Sequence, residues 1–194
     1  MQRNEISLAK FHRLFYPQVP VVITAEFQAT VGAMPAIWCI PLSFKPPLVG
    51  VAVAPDHETS RLIKGARSFC VNWLDFSHAN QIGVLGDISG KGHANKLSIV
   101  GLTATKSPEG SCTVVQEASA VLECRLRESH RTGSHDFMVG EVERASAGES
   151  FTDYWDFTKY DPILYAGTAD GERKTWVFMS THGDTRRVAL KRQK

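Results

Sequence analysis

The stretch "MPAIWCIPLSFKPPLVGVAVAP", Met34 to Pro55, decides how the chain is read. Its apolar residues cluster as they do in β-strands, yet it carries Pro35, Pro41, Pro46, Pro47 and Pro55. Proline offers no N–H to a β-ladder and is confined to strand ends, edges and bulges. The backbone must therefore leave its sheet at defined places. Groups released from a ladder in this way can meet a ligand. Two strands are expected, over 33–40 and 48–54, joined by "PLSFKPP".

Upstream, "VPVVITAEF" (19–27) reads as a first strand rich in β-branched residues, and "QATVG" (28–32) as the turn that follows. Residues 4–16 suit a helix with Leu8, Phe11 and Phe15 on one face. Downstream, "DHETSRLIKGAR" (56–67) is an amphipathic helix with Leu62, Ile63 and Ala66 in its buried stripe. "SFCVNWL" (68–74) is a strand, 77–85 a helix, and "GDISGKGHANK" (86–96) a polar glycine-rich loop. In "AVLECRLRES" (120–129), Leu122, Cys124 and Leu126 face one way and Glu123, Arg125 and Arg127 the other. It pairs naturally with "DFMVGEVERAS" (136–146) across "HRTGSH", and "PILYAG" and "TWVFMS" close the fold. The fold class expected is mainly β with short helices, an antiparallel barrel. A single domain spans 1–180, and 181–194, ending "TRRVALKRQK", reads as a flexible basic tail.

The totals exclude several function classes. A chain of 194 residues with 43% hydrophobic and 22% charged residues is a soluble globular domain. A net charge of +2, with basic residues spread along the chain, points away from nucleic acid. No apolar run approaches a membrane span, and "MQRNEISLAKFHRLF" is charged throughout, unlike a secretory segment. Cys39, Cys70, Cys112 and Cys124 form no C-x-x-C pair, and three of them lie in apolar runs. The expectation is a reduced, cytoplasmic protein with free thiols. The histidines at 12, 57, 78, 93, 130, 135 and 182 share no ligand spacing, so no metal is expected.

Familiar catalytic motifs fail. "GDISGKG" has three residues between Gly86 and Gly90 where a P-loop needs four, and Gly92 rather than Ser or Thr follows Lys91. There is no G-x-G-x-x-G after a strand, no G-x-S-x-G and no H-E-x-x-H.

Two features of the opening stretch carry chemistry. At Ala54–Ser60 a buried strand ends and a helix begins, with Asp56 as the expected N-cap. Unpaired N–H groups at a helix start favour anions. His57, Thr59 and Ser60 add donors there. The rival reading is an ordinary capped helix, because Asp56 and Glu58 repel an anion. In "WCIPLSF", Trp38 and Phe44 give flat apolar surface, Pro41 forces a bend and Ser43 offers a hydroxyl. Its rival reading is a core strand with a proline-rich corner. A ligand with a planar ring at one end and a phosphate at the other would use both features, and FMN is such a ligand.

"YPQVPVVITA", "MPAIWCIPLSFKPPLVGVAVAPDHETSRLI", "SFCVNWL", "ISGKGHANKL", "GSHDFMVGEV" and "DPILYAG" follow one another in this order. In that order the chain resembles the flavin reductase-like proteins of the FMN-binding split-barrel fold, the flavoredoxin-type members in particular, over roughly residues 15–168. The resemblance implies an antiparallel split β-barrel and a homodimer with FMN near the dimer interface. By position, Trp38, Cys39, Ile40 and Pro41 would line the isoalloxazine ring and Ser43 would hydrogen-bond it. Ala54, His57 and Thr59 would serve the ribityl-phosphate end, with Ser89 and Lys96 near the phosphate. His135 would lie near the cofactor as the one catalytic candidate, hydrogen bonding at the interface being its alternative role. The implied activity is NAD(P)H-dependent reduction of flavin or another small electron acceptor, with NADH or NADPH as donor. The alternative is an FMN-binding electron-transfer protein fed by a partner protein. The sequence departs from the family pattern at Gly32, where the family carries Asn two residues before Met-Pro or Met-Thr.

Overall fold

The computed structural model describes residues 3–108, 112–169 and 175–189. Strands β1 (Val21–Phe27) and β2 (Thr30–Ala36) form a hairpin whose turn is only Gln28 and Ala29, at φ 50° and 60°. A two-residue loop with both φ positive matches the twist of the strands it joins. The turn expected over 28–32 is therefore shorter, and Thr30–Gly32 already pair with β1.

The expected strand 33–40 is in fact two. β2 ends at Ala36 and β3 (Cys39–Phe44) begins after a break at Ile37 and Trp38. β2 stays with β1, whereas β3 pairs with β4 (Pro47–Val53). The prolines explain the division. Pro35 sits on β2, an edge strand, and Pro41 stands at a register shift between Pro41 and Ser43.

Seven strands form one sheet in the order β2-β1-β5-β8-β9-β4-β3, with β5 (Ser68–Trp73), β8 (Ala120–Thr132) and β9 (His135–Ala147). Every neighbouring pair is antiparallel. The end strands β2 and β3 do not pair with each other, so the sheet stays open and the barrel is split, as the fold class requires.

Both faces of β1 are buried, which is why "VVITA" is apolar without alternation. Val21, Ile23 and Ala25 meet Leu62 and Ile63 of helix α1 (Glu58–Ala66) and the inner side chains of β4, β5 and β8. Val22 meets a second layer that includes Ile82 and Leu85 of α2 (Ala79–Asp87), Leu97 of α3 (Lys96–Ile99) and Phe178. Phe178 belongs to a separate three-stranded sheet of β10 (Leu164–Ala169), β11 (Thr175–Met179) and β12 (Thr185–Ala189).

Three further expectations are corrected. The helix over 4–16 is a 3-10 helix, Leu8–Phe15, with Leu8, Phe11, Leu14 and Phe15 exposed. The tail beginning at 181 contains β12, which pairs with β11. Val188 of β12 rests on Gly83, where a methyl group would come within 2.8 Å of it, and the Arg186 guanidinium lies 5.7 Å from the Phe76 ring centre. Residues 190–194 of that tail lie outside the described residues. Finally, Cys70 and Cys112 are joined as a disulfide, with Cα atoms 6.4 Å apart. The pairing is tertiary: Cys112 precedes β7 (Thr113–Val115), which with β6 (Ala104–Lys106) forms a small hairpin laid over β1 and β5. Asn72 holds that hairpin by accepting from Val115 N at 2.9 Å, and Thr24 Oγ1 donates to Thr113 O at 2.5 Å. Cys39 and Cys124 are free. No helix among the described residues is long and apolar enough to cross a membrane.

Candidate functional site

A cleft of about 510 Å³ opens beside the β2 edge, where the start of α1 faces the loop from α2 to α3. Helix α1 begins at Glu58, and its N-cap is His57 rather than Asp56. His57 makes no capping hydrogen bond through its side chain, so the first turn keeps unpaired N–H groups. Thr59, almost fully buried, lines the cleft from that turn. Behind it, the buried hydroxyl of Ser60 finds no hydrogen-bond partner among the described residues. Glu58 is held sideways by Arg61, with Nε 3.0 Å from Oε1. That bond and the cation behind it keep the Glu58 carboxyl below its ordinary range.

Lys96 reaches the cleft from the opposite wall. It is only 6% exposed, and among the described residues its ammonium has no hydrogen-bond or ion-pair partner. Burial lowers its pKa from 10.5 to about 8. The backbone around it is fixed: Asn95 Oδ1 accepts from Leu97 N at 3.0 Å, and Ala94 O accepts from Val31 N of β2 at 2.8 Å. A buried cation without a counter-ion is costly and needs an anion from elsewhere. Partial desolvation lowers the His57 pKa, Asp56 opposes the shift, and Lys96 and His135 add to it.

Of the residues singled out in the sequence, His57, Thr59, Ser89 and Lys96 come together at this cleft. Trp38, Cys39, Ile40, Pro41, Ser43, Ala54 and His135 do not line it. Most of these cluster along β3 and its surroundings. Trp38 lies 4.9 Å from His135 between ring centres. His135 opens β9 and its Nδ1 shares a hydrogen bond with Ser134 Oγ at 2.8 Å. The neighbouring Asp136 binds Lys64 of α1 at 2.6 Å, which ties the start of β9 to the helix whose N-cap is His57. Ser43 Oγ accepts from Lys45 N at 3.2 Å, leaving its O–H free to donate. Cys39 is a packing residue: burial pushes its thiol up to about 12. Ile40 and Pro41 are exposed, and Ala54 is half-buried at the end of β4.

Gly32 explains its own departure from the family pattern. A side chain there would strike Leu62 Cδ1, and its Cβ would stand 3.3 Å from Thr59 Oγ1. The glycine lets α1 settle onto β2 with Thr59 at the cleft.

The sequence reading missed Trp176. It comes from β11, far along the chain, and its indole forms a wall of the cleft with Met34 and Pro35. No local pattern marks it, because "TWVFM" reads as any short strand. Among the described residues, no three His, Cys, Asp or Glu side chains gather as metal ligands.

Comparison with known proteins agrees with this architecture. The "Flavin reductase like domain" family profile matches residues 11–169. A protein of Aeropyrum pernix is 34% identical over 165 residues, which cover 84% of this chain and 63% of that relative's length. The solved structure of an FMN-binding protein from Thermus thermophilus with bound p-hydroxybenzaldehyde matches at a TM-score of 0.71 and 25% identity, over 100% of this chain and 98% of that one. Flavoredoxin from Methanosarcina acetivorans shares the fold at a TM-score of 0.76 and 21% identity, over 100% of this chain and 95% of that one. With an open antiparallel sheet, a cleft at its β2 edge and a profile match over most of its length, the chain belongs to the flavin reductase-like domain family.

Proposed function

We propose that the protein binds FMN and passes electrons from NADH or NADPH to flavin or another small acceptor. The observation that carries this reading is Lys96, a buried ammonium with no partner among the described residues, facing the uncapped first turn of a nine-residue helix. Together they form a site that lacks only an anion.

When bound, FMN supplies hydride acceptance and electron storage. Lys96 and Thr59 hold its phosphate, Ser89 stands at the rim, and His57 adds a donor. Trp38, Ile40 and Pro41 present apolar surface to the ring, with neutral Cys39 packed behind them. The Ser43 O–H would be available to donate to the polar edge of the ring. The His135 ring nitrogen not engaged by Ser134 is placed to hold or deliver a proton. Ala54 sets the approach of the chain to the phosphate.

The surface supports a homodimer. Edge strand β3 exposes Ile40, Leu42 and Phe44, the last at 96%, and the 3-10 helix adds Leu8, Phe11 and Leu14. Apolar patches of this extent on an unpaired strand mark an interface. The partner is a second copy whose own β3 surface meets this one, closing the ring site from outside.

The test is a titration of wild type and Lys96→Ala with FMN and with riboflavin. FMN should bind wild type more tightly than riboflavin, and Lys96→Ala should abolish the difference. Equal affinities for the two ligands in wild type would sink the phosphate assignment. Anaerobic mixing of the FMN-loaded protein with NADH and NADPH then separates a reductase from an electron carrier fed by a protein partner.

A further inference from the structure

The cleft is larger than a phosphate requires. It occupies about 510 Å³ and runs from Lys96 and Thr59 to Met34, Pro35 and Trp176. The β3 residues expected around the isoalloxazine ring contribute nothing to its lining. The end bounded by Trp176 has room for another group.

That end is built rather than incidental. The Trp176 indole lies directly over Gly86, where any side chain would collide with it, and Pro35 Cγ is 3.0 Å from the same point. Tyr165 meets the indole edge-on, with ring centres 6.0 Å apart. The indole is therefore fixed before a ligand arrives, yet it remains half-exposed at the cleft. Asp87 and Asp56 border the same space, with carboxylates that accept hydrogen bonds. An aromatic wall, carboxylates and a buried cation around one cleft supply what an adenosine phosphate needs: a face for the base, acceptors for ribose hydroxyls and a charge for the phosphate.

We propose that this end of the cleft is an adenosine subsite, in which Trp176 stacks on the adenine of a dinucleotide whose phosphates lie at Lys96 and the first turn of α1. The proposal rests on the flavin reading above. Two dinucleotides carry this moiety: the adenylated flavin FAD and the nicotinamide donor. Stacking of a base on an aromatic side chain is worth roughly tenfold in affinity.

The experiment measures binding of FMN, FAD and ADP to wild type, Trp176→Ala and Trp176→Phe by tryptophan and flavin fluorescence. Thermal melting confirms that each variant is folded. Binding of FMN to wild type tests the flavin reading by itself. For the subsite, ADP should bind wild type and compete with FAD, and FAD should bind roughly tenfold more tightly than FMN. Trp176→Ala should remove that advantage while leaving FMN within about twofold, and Trp176→Phe should keep most of it. If FAD has no advantage but Trp176→Ala weakens NADH binding to the flavin-free protein, in which Lys96 is open to its phosphates, the adenosine subsite stands and the nicotinamide donor is its source. Failure of ADP to bind, or an equal loss of FMN and FAD in Trp176→Ala, overturns the proposal. So does a Trp176→Ala protein that binds FAD and NADH as wild type does.

Discussion

The indole of Trp38 and the imidazole of His135 lie 4.9 Å apart between ring centres, with planes inclined at 58°. They belong to segments that never pair: Trp38 precedes β3, His135 opens β9, and β4 lies between those strands. The contact brings an indole and an imidazole from distant segments to one place. Trp38→Ala should weaken FMN and riboflavin alike, by about 1 kcal/mol, because it acts on the ring they share. His135→Gln should leave FMN affinity near wild type and lower the rate of reduction by NAD(P)H. Stopped-flow absorbance of the flavin separates the two effects. A His135→Gln protein with full reduction rate would assign the residue to the interface.

Lys96 sets a pH dependence whose sign is fixed. Its folded pKa of about 8 lies below the ordinary 10.5, because burial penalises the charged form. Without ligand, the unfolded chain holds the proton more firmly between these values, so stability rises as pH climbs from about 8 to 10.5. The penalty is fully present below pH 8. Lys96→Met should therefore stabilise the ligand-free protein at pH 7 by about 2–3 kcal/mol, with the gain fading between pH 8 and 10.5 and absent above. FMN affinity in wild type should fall as pH rises through 8, as the free site loses its charge. Urea melts and flavin titrations across this range read both effects.

Gly32 joins the fit of α1 to the shape of the cleft. Gly32→Ala should cost about 1–3 kcal/mol by forcing Leu62 aside. It should also weaken FMN, since Thr59 moves with the helix. Pairing it with Leu62→Val should recover part of the stability. Full stability in Gly32→Ala alone would mean that α1 has room to shift.

The Cys70–Cys112 bridge closes a separation of 42 residues. Removing the link by Cys112→Ser should cost about 4 kcal/mol if chain entropy dominates. Reductant should lower the melting temperature of wild type toward that of the variant and leave the variant unchanged.

The proposed dimer is tested at β3. Phe44→Glu, which touches no interior contact of the protomer, should convert a dimer to monomers without lowering the protomer's helix and strand content. Sedimentation over a dilution series measures it, and FMN should shift the wild type toward dimer by mass action.

The sequence by itself determined the sheet strands β1, β4, β5, β8 and β9, the proline-broken region between β2 and β4 and the amphipathic α1. These depend on local periodicity and on what proline does to a ladder. It also supplied His57 and Thr59 at the start of α1, while Ser89 and Lys96 came from the family resemblance and the fold brings all four to one cleft. It could not reveal that Lys96 is buried without a partner among the described residues, because burial depends on β2 and α1 arriving from elsewhere. It did not split 33–40 into two strands, since both halves are apolar and only their different partners separate them. The Cys70–Cys112 bond, the pairing of β12 and the placing of Trp176 in the cleft were decided by tertiary structure alone. Each joins residues distant in the chain through contacts that leave no periodic trace in either segment.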